Sequence, residues 1–175
     1  IEFNFKVISN NSKKYLLKIS RSSFDQEYID YQILLLEHLN KSSKIELPKI
    51  VFSSDNKKSS IIKDSHGFNR SVRLMSWIDG RLWSSVNPIT KLLRYELGYS
   101  CSELSKSLQG FKHSYADREI EWDIAKSLWV ESHIDKFDTR ELKILKKIIK
   151  NFKDNLHLYN KLEKSIIHND INDNN

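Results

Sequence analysis

Residues 165–175 read SIIHNDINDNN. His168 is followed two residues later by Asp170, and five residues after that by Asn175. In a loop of this kind a carboxylate can accept the proton of a bound hydroxyl, and a carboxamide oxygen can ligate a hard cation. A spacing of three residues carries little specificity alone. Its meaning depends on what the rest of the chain places beside it.

Upstream, the chain divides by pattern. FNFKVIS, NNSKK and YLLKIS read as strand, polar turn and strand. FDQEYIDYQILLLEHL, from Phe24 to Leu39, reads as a helix, because Phe24, Tyr28, Tyr31, Leu35 and Leu39 recur at helical steps; Ser23 or Asp25 is placed to cap it. KIVFSS and SSIIKDS read as strands around a polar turn at Asp55-Asn56, and SVRLMSWIDG as a further strand closing on a glycine. Beyond Pro88 the pattern is helical. Thr90 to Leu108 carries a stripe of Leu92, Leu93, Leu97, Leu104 and Leu108, and helices are predicted over 119–134 and 139–162. The order predicts an α+β fold with a boundary near 80–88, a strand-rich segment with one helix preceding an all-helical one.

Composition narrows the function classes. With 175 residues and 39% hydrophobic content the chain can bury a core. Its longest apolar run, Ile33 to Leu36, is one helical turn, so no membrane partner is expected. The single cysteine, Cys101, excludes a disulfide within this chain; it fits a reducing, cytoplasmic setting and a small buried position on a helix. The net charge of +6 raises nucleic-acid binding. The lysines are dispersed, however, and Lys146 and Lys147 sit on the polar side of an amphipathic pattern. No finger, zipper or RNA-recognition signature appears, so no nucleic-acid partner is expected.

The loop at 168–175 has the spacing of the protein-kinase catalytic loop, in which an Asp accepts the proton of the attacking hydroxyl and an Asn holds Mg²⁺. Phosphoryl transfer further needs a cation along the phosphates. Lys18 in YLLKIS has that place, on a strand that runs directly into the helix. Glu27 and Asp30 on this helix are the candidate acids to hold it. RLMSWIDG lies where a two-lobed kinase hinges.

Together these residues resemble the aminoglycoside phosphotransferase / choline kinase superfamily, most closely its hydroxylysine-kinase-like branch. FNFKVIS and KKYLLKIS resemble the nucleotide-loop and lysine strands, EYIDYQILLLEHL the following helix, and VRLMSWIDGRLW the hinge. ELGYSCSELSKSLQGFKH and REIEWDIAKSLW resemble the first large-lobe helices, and IIHNDINDNN the catalytic loop. The resemblance implies a two-lobed protein-kinase-like fold: an antiparallel-sheet N-lobe with one helix over 1–80, and a mainly helical C-lobe over 81–175. It implies Asp170 as catalytic base, Asn175 as Mg²⁺ ligand, Lys18 on the α- and β-phosphates of ATP or GTP, and His168 as a structural residue of the loop. Because the branch has its helix acid two residues before a glutamine, it favours Asp30, before Gln32, over Glu27. Ser76 and Ile78 would meet adenine through their backbones, and Asn4-Phe5 resembles the phosphate-covering loop.

The implied acceptor is the hydroxyl of a small amino-alcohol or hydroxy-amino acid such as hydroxylysine. Its ammonium group suits acids and aromatic faces, which Glu121, Trp122, Asp123 and Trp129 offer; Arg118 suits a substrate carboxylate. Two departures matter. The phosphate-covering loop is cut short at Ile1, where the family has a further strand. No Asp-Phe-Gly-Asp-like motif with the second metal aspartate follows Asn175. The expectation is therefore a fragment, incomplete at both ends, with little activity alone. In this branch a further fused domain is compatible with the sequence. The competing readings are a non-catalytic nucleotide- or ligand-binding module of the same fold, and a basic nucleic-acid-binding domain.

Overall fold

The computed structural model describes residues 2–118, 120 and 123–174. The chain forms two compact units, Ile1–Ala116 with Ser165–Asn175, and Asp117–Lys164. The first is built on an antiparallel sheet. Strands β1 (Phe3–Ile8) and β2 (Lys14–Ile19) form a hairpin with Asn4 opposite Lys18. Its turn is closed by the Ser9 amide donating to the Lys13 carbonyl at 2.9 Å. Strand β5 (Asn69–Ser76) lies beside β2 with Arg73 opposite Lys18. The other edge of β5 pairs with β3 (Ile50–Val51) and β4 (Ser60–Lys63). The expected strands over 49–54 and 59–65 therefore do not form a hairpin with each other. Both join β5, and the residues between them bulge out in a loop closed by Ser53 and Lys57.

Period-two alternation along β5 buries Ser71, Arg73 and Met75. Helix α1 (Gln26–Ser42) starts two residues later than the apolar pattern predicts, because Asp25 takes the cap and accepts the Glu27 amide at 2.9 Å. The helix buries Ile29, Tyr31, Ile33 and Leu39. The segment after α2 packs on α1 through rings. Tyr31 meets Phe111, His113 and Tyr115 with centroids 5.3 to 6.1 Å apart, and the Tyr115 hydroxyl donates to Asp25 at 2.6 Å.

Helix α2 (Lys91–Leu108) is capped by Thr90, which accepts the Leu93 amide. Its leucine stripe is buried only at the C-terminal end. Leu108 is buried, while Leu92 and Leu97 are exposed, since α1 meets α2 through His38 and Ser42 at the Ser107 carbonyl. Cys101, expected in a buried place on this helix, is partly exposed.

In the second unit the described part of the predicted helix over 119–134 includes a 3₁₀ segment, Ile124–Lys136, broken at His133, while Glu119, Glu121 and Trp122 lie outside the described residues. The Ser132 hydroxyl donates to the Trp129 carbonyl at 2.7 Å, and local side-chain bonds of this kind compete with the helical ladder. Helix α3 (Thr139–Tyr159) opens on a capping box between Asp138 and Glu141. Leu142, Leu145, Ile149, Phe152, Leu156 and Tyr159 form its sheltered stripe, and Lys146 and Lys147 lie on the solvated side. Ile144 and Ile148 fall outside that stripe and are exposed.

Candidate active site

Lys18 stands between Asn4 and Arg73 in the cross-strand row, on the sheet face from which Arg73 reaches Gln32 of α1. Its ammonium pairs with Glu2 at 3.0 Å, both side chains being about three-quarters buried. The other carboxylate oxygen of Glu2 accepts from Arg73 Nη2 at 2.7 Å. Arg73 Nη2 also donates to the Gln32 side chain of α1. Arg73 is buried, which lowers its pKa, and the neighbouring Glu2 carboxylate opposes that shift. The helix acids lie elsewhere: Asp30 accepts from Gln26 at 2.8 Å and Glu27 from Ser114 at 2.9 Å. The structure thus brings neither Asp30 nor Glu27 to Lys18. Asn4 is a strand residue in register with Lys18, not part of a loop.

Sequence reasoning gave no role to Glu2 or Arg73, and used Gln32 only as the marker for Asp30. Strand alternation carried a signal for the first two. Glu2 and Asn4 share a face of the β1 edge with Lys18, and Arg73 occupies an inward position of SVRLMS.

At the end of β5 the Ser76 amide donates to the Lys49 carbonyl at 2.8 Å, and the Lys49 amide donates to the Ser76 hydroxyl at 2.9 Å. The hydroxyl takes the donor that a regular ladder would send to the Ser76 carbonyl. Among the described residues no hydrogen bond reaches the Ser76 carbonyl, and the Ile78 amide makes none. Asp79 fixes the outgoing segment, with Lys14 at 2.8 Å and Trp77 Nε1 at 3.0 Å holding its carboxyl below the ordinary value. Lys6 lies over the Trp77 ring, 4.7 Å from its centroid.

The loop that ends the first unit is tied at both sides of Asp170. His168 Nδ1 accepts from the Asp170 amide at 3.3 Å, and Asn172 Nδ2 donates to Asp170 Oδ1 at 2.8 Å. The Ser84 amide donates to the Asp173 carbonyl at 3.0 Å, and its hydroxyl to Asn174 Oδ1 at 2.9 Å. Asn169 adopts φ 59° to make the bend, a left-handed conformation that Asn tolerates. Sequence reasoning missed Ser84, because it lies far along the chain in RLWSS with no spacing to mark it.

Arg118 and Asp123 belong to the second unit. Asp123 caps the 3₁₀ segment by accepting the Ala125 amide at 2.9 Å, so that carboxylate oxygen has a structural partner. Glu121, Trp122 and the proposed metal ligand Asn175 lie outside the described residues. Among those described, no group of three or more His, Cys, Asp or Glu side chains is placed to hold a metal, and no helix is long and apolar enough to cross a membrane.

A strand lysine, an open strand-end backbone and a pinned His-x-Asp loop therefore occur in one compact unit. The family model for phosphotransferase enzymes matches this sequence over residues 1–175. The chain belongs to the phosphotransferase enzyme family. Hydroxylysine kinase of Bos taurus is 28% identical to this family member over 180 residues, covering 97% of the chain and 48% of the relative. Among solved structures, an amicoumacin kinase in complex with AMP-PNP, Ca²⁺ and Ami superposes with a TM-score of 0.65 at 16% identity, covering 94% of this chain and 47% of that one. A microcompartment-associated aminopropanol kinase gives 0.51 at 15% identity, covering 75% and 43%. These likenesses show the α+β fold of small-molecule kinases. The phosphotransferase chain spans about half the length of the curated relative it matches.

Proposed function

We propose that this chain is the nucleotide-binding and catalytic-loop portion of a small-molecule kinase. It transfers the γ-phosphoryl group of ATP or GTP to the hydroxyl of a small amino-alcohol or hydroxy-amino acid such as hydroxylysine. The observation that carries the reading is the Asp170 loop, held by His168 on one side and by Ser84 on the other. In the proposed reaction the acceptor oxygen bonds to the γ-phosphorus, the bond to the β–γ bridging oxygen breaks, and the acceptor proton passes to the Asp170 carboxylate. The open Ser76 carbonyl and Ile78 amide are an acceptor and a donor for the adenine edge. Lys18 and the neighbouring Asn4 face the phosphates. His168 sets the loop and does not itself move a proton.

The loop from Asp170 to Asn174 offers only oxygen-bearing side chains besides Ile171, a donor set that fits a hard cation such as Mg²⁺. Asn175 is the proposed ligand, and Mg²⁺ when bound neutralises charge on the nucleotide phosphates. Arg118, Trp122 and Asp123 are the proposed contacts of the acceptor. The names of the relatives support an amine-bearing acceptor: one is a hydroxylysine kinase and another an aminopropanol kinase. The reading places the protein in the cytoplasm, where the nucleotide is supplied.

The test is transfer from γ-labelled ATP and GTP to hydroxylysine and a panel of amino-alcohols. It compares wild-type and Asp170→Ala protein expressed from the whole reading frame. Transfer lost in Asp170→Ala, with AMP-PNP still bound, supports the reading. Undiminished transfer removes Asp170 from the role. Nucleotide binding without transfer by the wild type would favour a non-catalytic module. Absence of both overturns the proposal.

A further inference from the structure

The acid that holds Lys18 comes from the edge of β1 and not from α1. Glu2 uses both carboxylate oxygens, Oε1 on Arg73 at 2.7 Å and Oε2 on Lys18 at 3.0 Å. We propose that Glu2, braced by Arg73, is the positioning residue for Lys18. The proposal rests on reading Lys18 as the phosphate-binding cation.

Geometry gives Glu2 a fixed end and a working end. The fixed end is Arg73, whose side chain is 4% exposed. Arg73 is held from two sides, its Nη2 being shared between Glu2 and Gln32, and its Nη1 is buried without a partner among the described residues. A planar guanidinium locked this way sets the position of the carboxylate it binds. Gln32 extends the lock to α1, so the helix is tied to the sheet through a neutral amide.

The working end is Lys18. An ammonium on a four-carbon stem explores many rotamers unless something fixes it. Glu2 takes one of its N–H donors and leaves the others for an anion. The side chain remains 24% exposed, so Lys18 is not closed off from solvent by its pairing with Glu2. The α1 acids have other work. Asp30 is exposed and bound by Gln26, and Glu27 receives the Ser114 hydroxyl. Glu2 also neutralises two cations that face each other across β2 and β5, whose mutual repulsion would otherwise turn Lys18 away.

The experiment is calorimetric binding of AMP-PNP with Mg²⁺, and of adenosine, to the full chain and its variants. Glu2→Gln keeps the side-chain shape and removes the charge. It is expected to weaken AMP-PNP binding about tenfold, the loss of one charge-assisted contact, while adenosine binding stays nearly constant. The loss exceeds that of Asp30→Asn, and Glu2→Gln adds nothing further in a Lys18→Met background.

A larger loss from Asp30→Asn would return the role to the helix and overturn the proposal. So would an undiminished Glu2→Gln effect in Lys18→Met, because Glu2 would then act without Lys18. Equal loss of adenosine and AMP-PNP would mean that Glu2 only holds the fold. A wild type that binds AMP-PNP with Glu2→Gln unaffected sinks this proposal alone. A wild type that binds neither ligand sinks the phosphotransferase reading beneath it.

Discussion

The Asp170 amide donates to Nδ1 of His168 at 3.3 Å, so the histidine holds the backbone of the residue proposed to receive the proton. Replacing the ring by a methyl group frees that amide to water and lets the loop shift. His168→Ala is expected to lower kcat between about tenfold and a hundredfold, the range for a catalytic group displaced by a fraction of its reach. AMP-PNP affinity stays close to wild type, since the ring touches no proposed nucleotide contact. A steady-state measurement alongside a binding titration checks this, and equal loss in both would place His168 elsewhere.

Asn169 makes the bend before Asp170 at φ 59°. Glycine is at home there, whereas a β-branched side chain is not. Asn169→Gly should leave turnover within about twofold, and Asn169→Val should cost the loop about 1 to 2 kcal/mol of conformational strain. A kcat that falls for valine and holds for glycine confirms that backbone conformation, and not the amide side chain, is what the position supplies.

Much of this was legible in the sequence, for identifiable reasons. Lys18 and the Asp170 loop stood out because spacing and element order marked them, and the β1–β2 hairpin because alternation flanked a polar turn. What bound Lys18 was not legible. The Glu2–Arg73 link spans 71 positions and depends on strand register, which local periodicity does not fix. Ser84 was hidden for the same reason, its bond to Asn174 crossing 90 positions. The helix predicted over 119–134 misled in its described part from Ile124 on, where apolar residues recur at helical steps while Ser132 and the break at His133 favour a tighter turn. The leucines of α2 show that a stripe gives the face a helix could bury, not how much of it meets a partner.

Arg73→Met tests the weight of the buried cation. Removing one partner of a fully buried pair costs about 3 to 5 kcal/mol. Here Glu2 keeps Lys18 and remains 23% exposed, so the uncompensated charge is partly relieved. The expected loss is about 2 to 3 kcal/mol after that discount, read from urea unfolding followed by a β-sheet signal. An unchanged midpoint would show that the methionine stem replaces all that the guanidinium contributes.

Asp138 begins α3 by accepting the Arg140 and Glu141 amides, each at 2.8 Å, while its own amide donates to Glu141 Oε2 at 3.0 Å. Asp138→Ala removes the one oxygen that accepts both amides at the start of a helix, where the first amides have no partner within the helix. The expected cost is about 1 kcal/mol, and Asp138→Ser recovers most of it, since serine caps nearly as well. Hydrogen exchange at the first turn of α3 reads the change locally. Equal protection in wild type and Asp138→Ala would show that the cap does not limit fraying.

Acid should weaken the β4–β5 hairpin through Asp64. That carboxylate accepts from Arg70 Nε at 2.8 Å and Nη2 at 2.7 Å, and from the backbone amides of His66 and Phe68. The Arg70 hydrogen bond comes first among the effects that hold its pKa below the ordinary carboxylate value. Asp55, in the loop between β3 and β4, is drawn down to about 2, first by Lys57 and then by Ser53. A depressed carboxyl pKa means that the folded state binds fewer protons than the unfolded chain at acid pH. The resulting stability is fully present above the unfolded value and disappears as pH falls through it toward the folded one. The urea midpoint of the wild type should therefore exceed that of Asp64→Asn at neutral pH. The gap should close as pH falls from about 5 to about 2. Asp55→Asn should show the same closing gap. A difference that stays constant across that window would mean that the Asp64–Arg70 pair contributes through packing and not through charge.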